Sequence, residues 1–283
     1  MTTPALTPAA HLRAPFADPA RPALVIYLTA GDPDAAVSLD YLLAAAAAGA
    51  DVLEVGVPFS DPMADGPVIQ RATERALAAG TTLRGTLALV AELRRRAAAA
   101  GHAPRIVLFG YLNPFLAFGP PDALAAAARD AGADALLAVD LPGEAGGPLR
   151  ASLRAAGLGL IPLVAPTTTP ERLALVKETG APFVYYVSLA GVTGAAVGDL
   201  GPVGARVAEV RRSTNLPVAL GFGISTPAEA AAAGAFADGV VVGSAAVRIV
   251  ATHGASPSGP EALGRFVSSL AEAVHGSRPG RRG

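Results

Sequence analysis

The 283-residue chain contains no cysteine and no tryptophan, and only one lysine, Lys177. Without thiols it forms no disulfides and offers no thiolate metal site or cysteine nucleophile. Schiff-base and pyridoxal phosphate chemistry need an amine in the site, and Lys177 falls on a solvated face of a helix predicted over 170–179. The four histidines, His11, His102, His253 and His275, are scattered and lack metal-ligand spacing. There is no G-x-x-x-x-G-K-[ST] loop, and Gly221-Phe222-Gly223-Ile224-Ser225 lacks the third glycine of a dinucleotide fingerprint. Charge of one sign is also missing. Lys and Arg total 22 against 23 acidic residues, a net charge of −1 that argues against nucleic-acid or anionic-membrane partners. The most apolar run, 41–50, is too short to span a bilayer, and residues 1–22 do not read as a secretory signal, so a cytoplasmic protein is expected.

What is present is a large apolar fraction, 52% against 16% charged, enough for a substantial core. Short β-branched runs alternate with Ala-rich helical stretches. Strands are predicted at 23–29, 52–57, 105–111, 135–140, 160–164, 183–188, 218–221 and 239–242. Helices are predicted at 34–48, 83–100, 122–131, 147–156, 170–179, 203–213, 227–233 and 261–274. Thr169-Pro170 and Thr226-Pro227 pair an N-cap threonine with proline at the first helical position, and glycines such as Gly49, Gly132 and Gly180 follow helix ends. Strands such as Ala23-Leu24-Val25-Ile26-Tyr27-Leu28 are apolar on both faces, as parallel strands beneath helices are. Eight such units without a composition break favour a single α/β domain, a (β/α)8 TIM barrel, over an open doubly wound sheet. We expect a flexible tail over 1–22, the barrel over 23–275 and a second tail over 276–283. Long stretches after strands 2 and 6, at 58–82 and 189–202, would lie on the catalytic face.

The most informative segment runs from Leu53 to Pro67. Glu54 interrupts an apolar strand, where a carboxylate is costly unless it is paired or used. Burial would raise its pKa and fit it for general acid/base work near neutral pH. Asp61 and Asp65 follow in a Pro/Gly-punctuated loop. Taken singly, each aspartate reads as a turn former. Together with a buried strand glutamate, they point to catalysis.

The run from Glu54 to Gln70 resembles the signature of the tryptophan synthase alpha subunit family. So do Thr29-Ala30-Gly31-Asp32-Pro33, Gly110-Tyr111-Leu112-Asn113-Pro114, Ser188-Leu189-Ala190-Gly191-Val192-Thr193-Gly194 and the Gly221 to Ser225 segment, in order along the barrel. The resemblance implies retro-aldol cleavage of indole-3-glycerol phosphate to indole and glyceraldehyde 3-phosphate, without metal or Schiff base. Glu54 then resembles the acid/base that protonates indole C3 and deprotonates the glycerol hydroxyl. Asp65 resembles the carboxylate that accepts the indole N–H. Tyr27, Tyr111 and Tyr185 are candidates for the indole pocket, with Phe222 covering the substrate and Thr193 in a mobile lid. Gly194, Gly223, Gly243 and Ser244 are the candidate phosphate ligands, through backbone N–H groups and the start of a short helix over 245–249. The family places arginine in its lid where this chain has Leu189.

No cofactor is expected in this chain. Pyridoxal phosphate belongs to the implied partner, a beta subunit in an alpha2beta2 assembly, which would meet the Asp61 loop, the 113–119 loop and the lid. Two other readings stay open at this point. One is a different phosphate-binding barrel enzyme, such as indole-glycerol-phosphate synthase or a phosphoribosyl isomerase, which the single helical lysine disfavours. The other is a non-catalytic regulatory subunit that keeps the barrel.

Overall fold

The apolar runs form the expected strands: β1 (Ala23–Thr29), β2 (Val52–Gly56), β3 (Arg105–Gly110) and β4 (Ala135–Ala138). They continue with β5 in two pieces (Gly159–Leu160 and Leu163–Val164), then β6 (Val184–Val187), β7 (Val218–Gly221) and β8 (Gly239–Val242). The computed structural model describes residues 7–143, 145–188, 200–221 and 223–278. Every pairing is parallel, and β1 pairs with both β2 and β8. The break in β5 comes from Pro162, which has no N–H to give to the ladder. The chain stays in register across it: the Ile161 N–H donates to Leu136 O at 2.8 Å, and Pro162 O accepts from the Tyr185 N–H at 3.0 Å. β5 therefore bridges β4 and β6, and the ring closes as a (β/α)8 barrel rather than an open sheet.

Strand alternation fills the ring. Val25, Val52, Val107, Ala135, Ile161, Phe183, Ala219 and Val241 form an inner cluster, separate from the larger core between strands and helices. The outer shell comprises α2 (Ala35–Ala47), α4 (Leu83–Ala99), α6 (Pro121–Asp130), α7 (Gly147–Ala155), α8 (Pro170–Lys177), α9 (Gly201–Thr214), α10 (Pro227–Gly234) and α12 (Ser258–His275). Asp34, Thr82, Thr169 and Thr226 each cap a first turn through the side chain. No helix of the described residues is long and apolar enough to cross a membrane.

The expected N-terminal tail needs correcting. Thr7 caps α1 (Pro8–Arg13), with proline at its first turn, and a 3-10 turn follows over Ala14–Phe16. Leu12 is fully buried in the inner cluster, and Phe16 stacks on Phe183 with centroids 4.6 Å apart. A barrel open at its base would expose this apolar layer, so the segment closes it. The second tail is corrected in part: Arg278 donates to Gly234 O at 2.9 Å and to Pro19 O at 2.8 Å. The stretch 58–82, read as a loop, contains α3 (Pro67–Ala78), which buries Ala72, Thr73 and Ala76. A short α5 (Leu112–Ala117) follows β3, and the helix expected over 245–249 extends as α11 (Ser244–His253).

At the base of the barrel one device recurs. The carboxylates just ahead of β2, β4 and β8 accept from N–H groups at the start of the preceding strands. Asp51 takes Leu24 N–H at 2.8 Å, Asp134 takes Ile106 N–H at 2.7 Å, and Asp238 takes Val218 N–H at 2.9 Å. An arginine pairs with each: Arg21, Arg94 and Arg211.

Candidate active site

Glu54 shares the inner face of β2 with Val52, and its register partner on β1 is Tyr27. Its side chain is fully buried, and neither carboxylate oxygen has a hydrogen-bond partner. Uncompensated burial pushes its pKa from 4.5 up to about 8, so the group is a neutral acid at pH 7. A buried, unpartnered carboxyl is costly to folding, and such groups cluster where chemistry requires them.

Asp65 lies on the loop leaving β2. Burial raises it from 3.8 to about 6, and the Tyr111 hydroxyl, donating to Oδ2 at 3.0 Å, acts in the opposite direction. The same hydroxyl accepts the Ala64 N–H at 3.0 Å, so Tyr111 holds both the loop and its carboxylate. Glu54 on β2 and Asp65 on the loop that follows it thus have ordinary values pushed apart, one protonated and one ionised at neutral pH. Asp61 is exposed, with the Ser60 hydroxyl as its partner.

An aromatic wall surrounds these groups. Tyr27 meets Phe109 edge-on at 5.1 Å, and Phe109 lies 6.3 Å from Tyr185. Burial first, then the charges of Asp65 and Glu54, raises the Tyr27 hydroxyl. Burial, then Glu54 and Asp65, raises Tyr185. Both phenols stay protonated, and both sense the same two carboxylates, so the four groups share one space. Glycine makes room for the rings: a Cβ on Gly56 would lie 2.3 Å from the Tyr27 hydroxyl, and one on Gly221 2.6 Å from that of Tyr185. Phe109 was missed by the sequence reading, although the alternation Arg105, Val107, Phe109 already places it on the inner face.

Gly223, Gly243 and Ser244 follow adjacent strands β7 and β8 at the same end of the barrel as Asp65. The two helices beginning here differ. α10 is closed by a capping box in which Glu229 accepts from the Thr226 and Ser225 N–H groups. α11 starts at Ser244 after Gly243 with no side-chain cap, which leaves its first-turn N–H groups open to an anion. Thr193, Gly194, Phe222 and Leu189 lie outside the described residues.

Lys177 is exposed at the end of α8, and His275 binds Asp51 at the barrel base. Among the described residues, no group of three or more His, Asp or Glu could hold a metal ion.

A sequence model described as "Tryptophan synthase alpha chain" matches residues 14–274. The chain belongs to the tryptophan synthase alpha chain family. A member from a Caulobacter species is 50% identical over 259 residues, 91% of this chain and 92% of that one. A member from Nitrosococcus oceani is 47% identical, covering 90% and 92%. The crystal structure of tryptophan synthase subunit alpha from Legionella pneumophila superposes with a TM-score of 0.86 at 36% identity, covering 95% of this chain and 99% of that chain. The aminoacrylate-bound form of tryptophan synthase from M. tuberculosis matches with a TM-score of 0.81 at 36% identity, covering 93% and 99%. These likenesses span the barrel and agree with its closed topology. An alpha chain implies a beta-chain partner. At the Asp65 end of the barrel, Met63 on the loop and Leu116 on α5 are exposed, whereas Phe115 is buried and Phe59 rests 5.4 Å from the Tyr111 ring.

Proposed function

We propose that this chain cleaves indole-3-glycerol phosphate to indole and glyceraldehyde 3-phosphate at the mouth of the barrel, through Glu54 and Asp65. The observation that carries the reading is the contrast between the two carboxyls: Glu54 buried, unpartnered and protonated up to about 8, Asp65 ionised above about 6. Breaking the bond between indole C3 and the glycerol carbon requires a proton at C3 and removal of the proton from the adjacent hydroxyl. Glu54 gives its proton to C3, which leaves positive charge on the ring nitrogen. Asp65 accepts the indole N–H and stabilises that charge as it develops. The glycerol hydroxyl then yields its proton to the Glu54 carboxylate as the C–C bond breaks and the aldehyde forms, restoring the acid.

Tyr27, Tyr111, Tyr185 and Phe109 form the flat apolar walls that an indole ring requires. At the other end, backbone N–H groups at Gly223, Gly243 and Ser244, with the open end of α11, take the phosphate. Few basic side chains are needed there, because helix and peptide dipoles supply the charge. In this reading Thr193, Gly194 and Phe222 complete the lid and cradle, the chain works in the cytoplasm, and it carries no cofactor. Indole passes to a beta chain in an alpha2beta2 assembly, with pyridoxal phosphate in that partner, and Met63 and Leu116 face the same side. Incubating the full chain with indole-3-glycerol phosphate, with and without beta chain, should release indole in both cases. Absence of indole from folded protein in both would refute the assignment.

A further inference from the structure

Asp65 sits on an exposed loop: Asp61, Met63, Ala64 and Gly66 all face solvent. Such a loop holds a carboxylate only as well as its few anchors allow. Internal turns supply some order, through Met63 N–H to Asp61 O at 2.9 Å and Asp65 N–H to Pro62 O at 3.1 Å. The other anchors come from Tyr111 and from α3, which starts two residues after Asp65. Gln70, in the first turns of α3, donates its amide to Asp65 O at 2.9 Å and reaches Pro62 O at 3.5 Å. It therefore grips the peptide of the catalytic aspartate itself.

The same helix is fixed at its far end. Arg75 makes a two-pronged bond to Asp32, Nε to Oδ1 at 2.7 Å and the terminal nitrogen to Oδ2 at 2.8 Å. Asp32 is 3% exposed, on the turn that ends β1. A buried carboxylate held by a planar fork resists rotation more than a point charge would. The turn is also pressed against the end of α3. Gly31 has φ +77°, and a Cβ there would overlap the Thr81 side chain at 1.9 Å. β1, which presents Tyr27, and the loop that presents Asp65 are thus joined through one helix.

We propose that Gln70 and the Asp32–Arg75 pair are positioning residues for Asp65, with α3 as the brace that sets the distance between the carboxylate and the barrel rim. This rests on the reading of Asp65 as a catalytic residue. Neither Gln70 nor the Asp32–Arg75 pair is among the groups assigned to the substrate above. Its effect is on kcat, because a displaced Asp65 loses the charge stabilisation that develops only as the bond breaks.

Steady-state indole release across pH 5 to 9, with melting temperatures, tests this on the full chain. Gln70→Leu and Arg75→Lys should each lower kcat about tenfold or more, with KM within about twofold and the melting temperature little changed. Arg75→Lys keeps the charge and loses only the fork. Gln70→Glu should also move the acid limb of the profile to higher pH, because a second carboxylate beside Asp65 disfavours its ionised form. Asp32→Asn combined with Arg75→Lys should be no worse than the weaker single variant, as expected for a unit. Wild-type kcat and acid limb in Gln70→Leu and Arg75→Lys, beside an inactive Asp65→Asn, would overturn the brace alone. Losses of kcat that only follow a fallen melting temperature, with the limb unmoved in Gln70→Glu, would overturn it too. An active Asp65→Asn would instead remove the reading on which the brace depends.

Discussion

Replacing Glu54 by glutamine should remove activity and, at the same time, remove a pH-dependent burden on the fold. Burial raises the native pKa from 4.5 to about 8. Between those values the folded protein holds a proton that the unfolded chain has released, so stability falls as pH rises from about 4.5 and levels off above about 8. Each unit of displacement corresponds to about 1.4 kcal/mol. The burden is thus under about 1 kcal/mol at pH 5, about 3 kcal/mol at pH 7 and about 5 kcal/mol at pH 9. Glutamine matches the shape and has no proton to lose. Urea unfolding at these three pH values should show the stability of Glu54→Gln relative to wild type growing by about 4 kcal/mol from pH 5 to pH 9. Indole release should meanwhile drop at least ~100-fold, the range for loss of a general acid. A stability difference that stays flat with pH would show that Glu54 is not held as a buried neutral acid, and the acid/base reasoning would fail with it.

In wild type, kcat/KM should trace a bell with limbs near 6 and 8, rising as Asp65 ionises and falling as Glu54 loses its proton. Asp65→Asn should lower kcat by about 100- to 1,000-fold and abolish the acid limb, as a pH profile with indole detection would show. Burial alone would raise Asp51, but bonds from His275 and the Leu24 N–H, with the charges of His275 and Arg21, hold it below the ordinary carboxylate range. Its contribution is therefore present above that range and lost as pH falls through the lowered value. Asp51→Asn should cost about 1–3 kcal/mol at pH 7 and progressively less as pH falls below the ordinary carboxylate range, measured by denaturant unfolding. Leu12→Ala should destabilise by about 2–5 kcal/mol in thermal unfolding, because the barrel base cannot collapse around the lost side chain.

The barrel was legible because its strands are apolar on both faces and regularly spaced, a pattern that only paired, covered strands produce. Glu54 was legible for the same reason inverted, as the one carboxylate where the pattern demands an apolar residue. Other features rest on a single side chain meeting a distant one. Leu12 and Phe16 sit in an Ala/Pro-rich stretch with no periodicity, and only the open base of the ring gives them a place. α3 was hidden because Pro67 follows the Pro/Gly-rich turns of the catalytic loop and reads as part of them. Tyr111 was read as pocket wall, but that its hydroxyl also bridges Asp65 and the Ala64 N–H is a pairing across 46 residues that no local pattern encodes. Closure itself could not be read from periodicity, since open and closed sheets share the same strands.

The stapled strand starts have one missing member. β1 is tied to β2, β3 to β4 and β7 to β8 by Asp51, Asp134 and Asp238, but β6 is preceded by Pro182-Phe183, which brings no carboxylate. β5 is also the strand that Pro162 interrupts, and it pairs with β6 over only Leu163 and Val164. Among the described residues, β5–β6 is thus the one odd-to-even strand pair that lacks the staple, and its ladder is short. Glu54 lies on the opposite arc, on β2, which pairs over five residues with each of β1 and β3, and Asp65 follows it on the next loop, so the two carboxyls sit where the ladders are longest and local opening costs most.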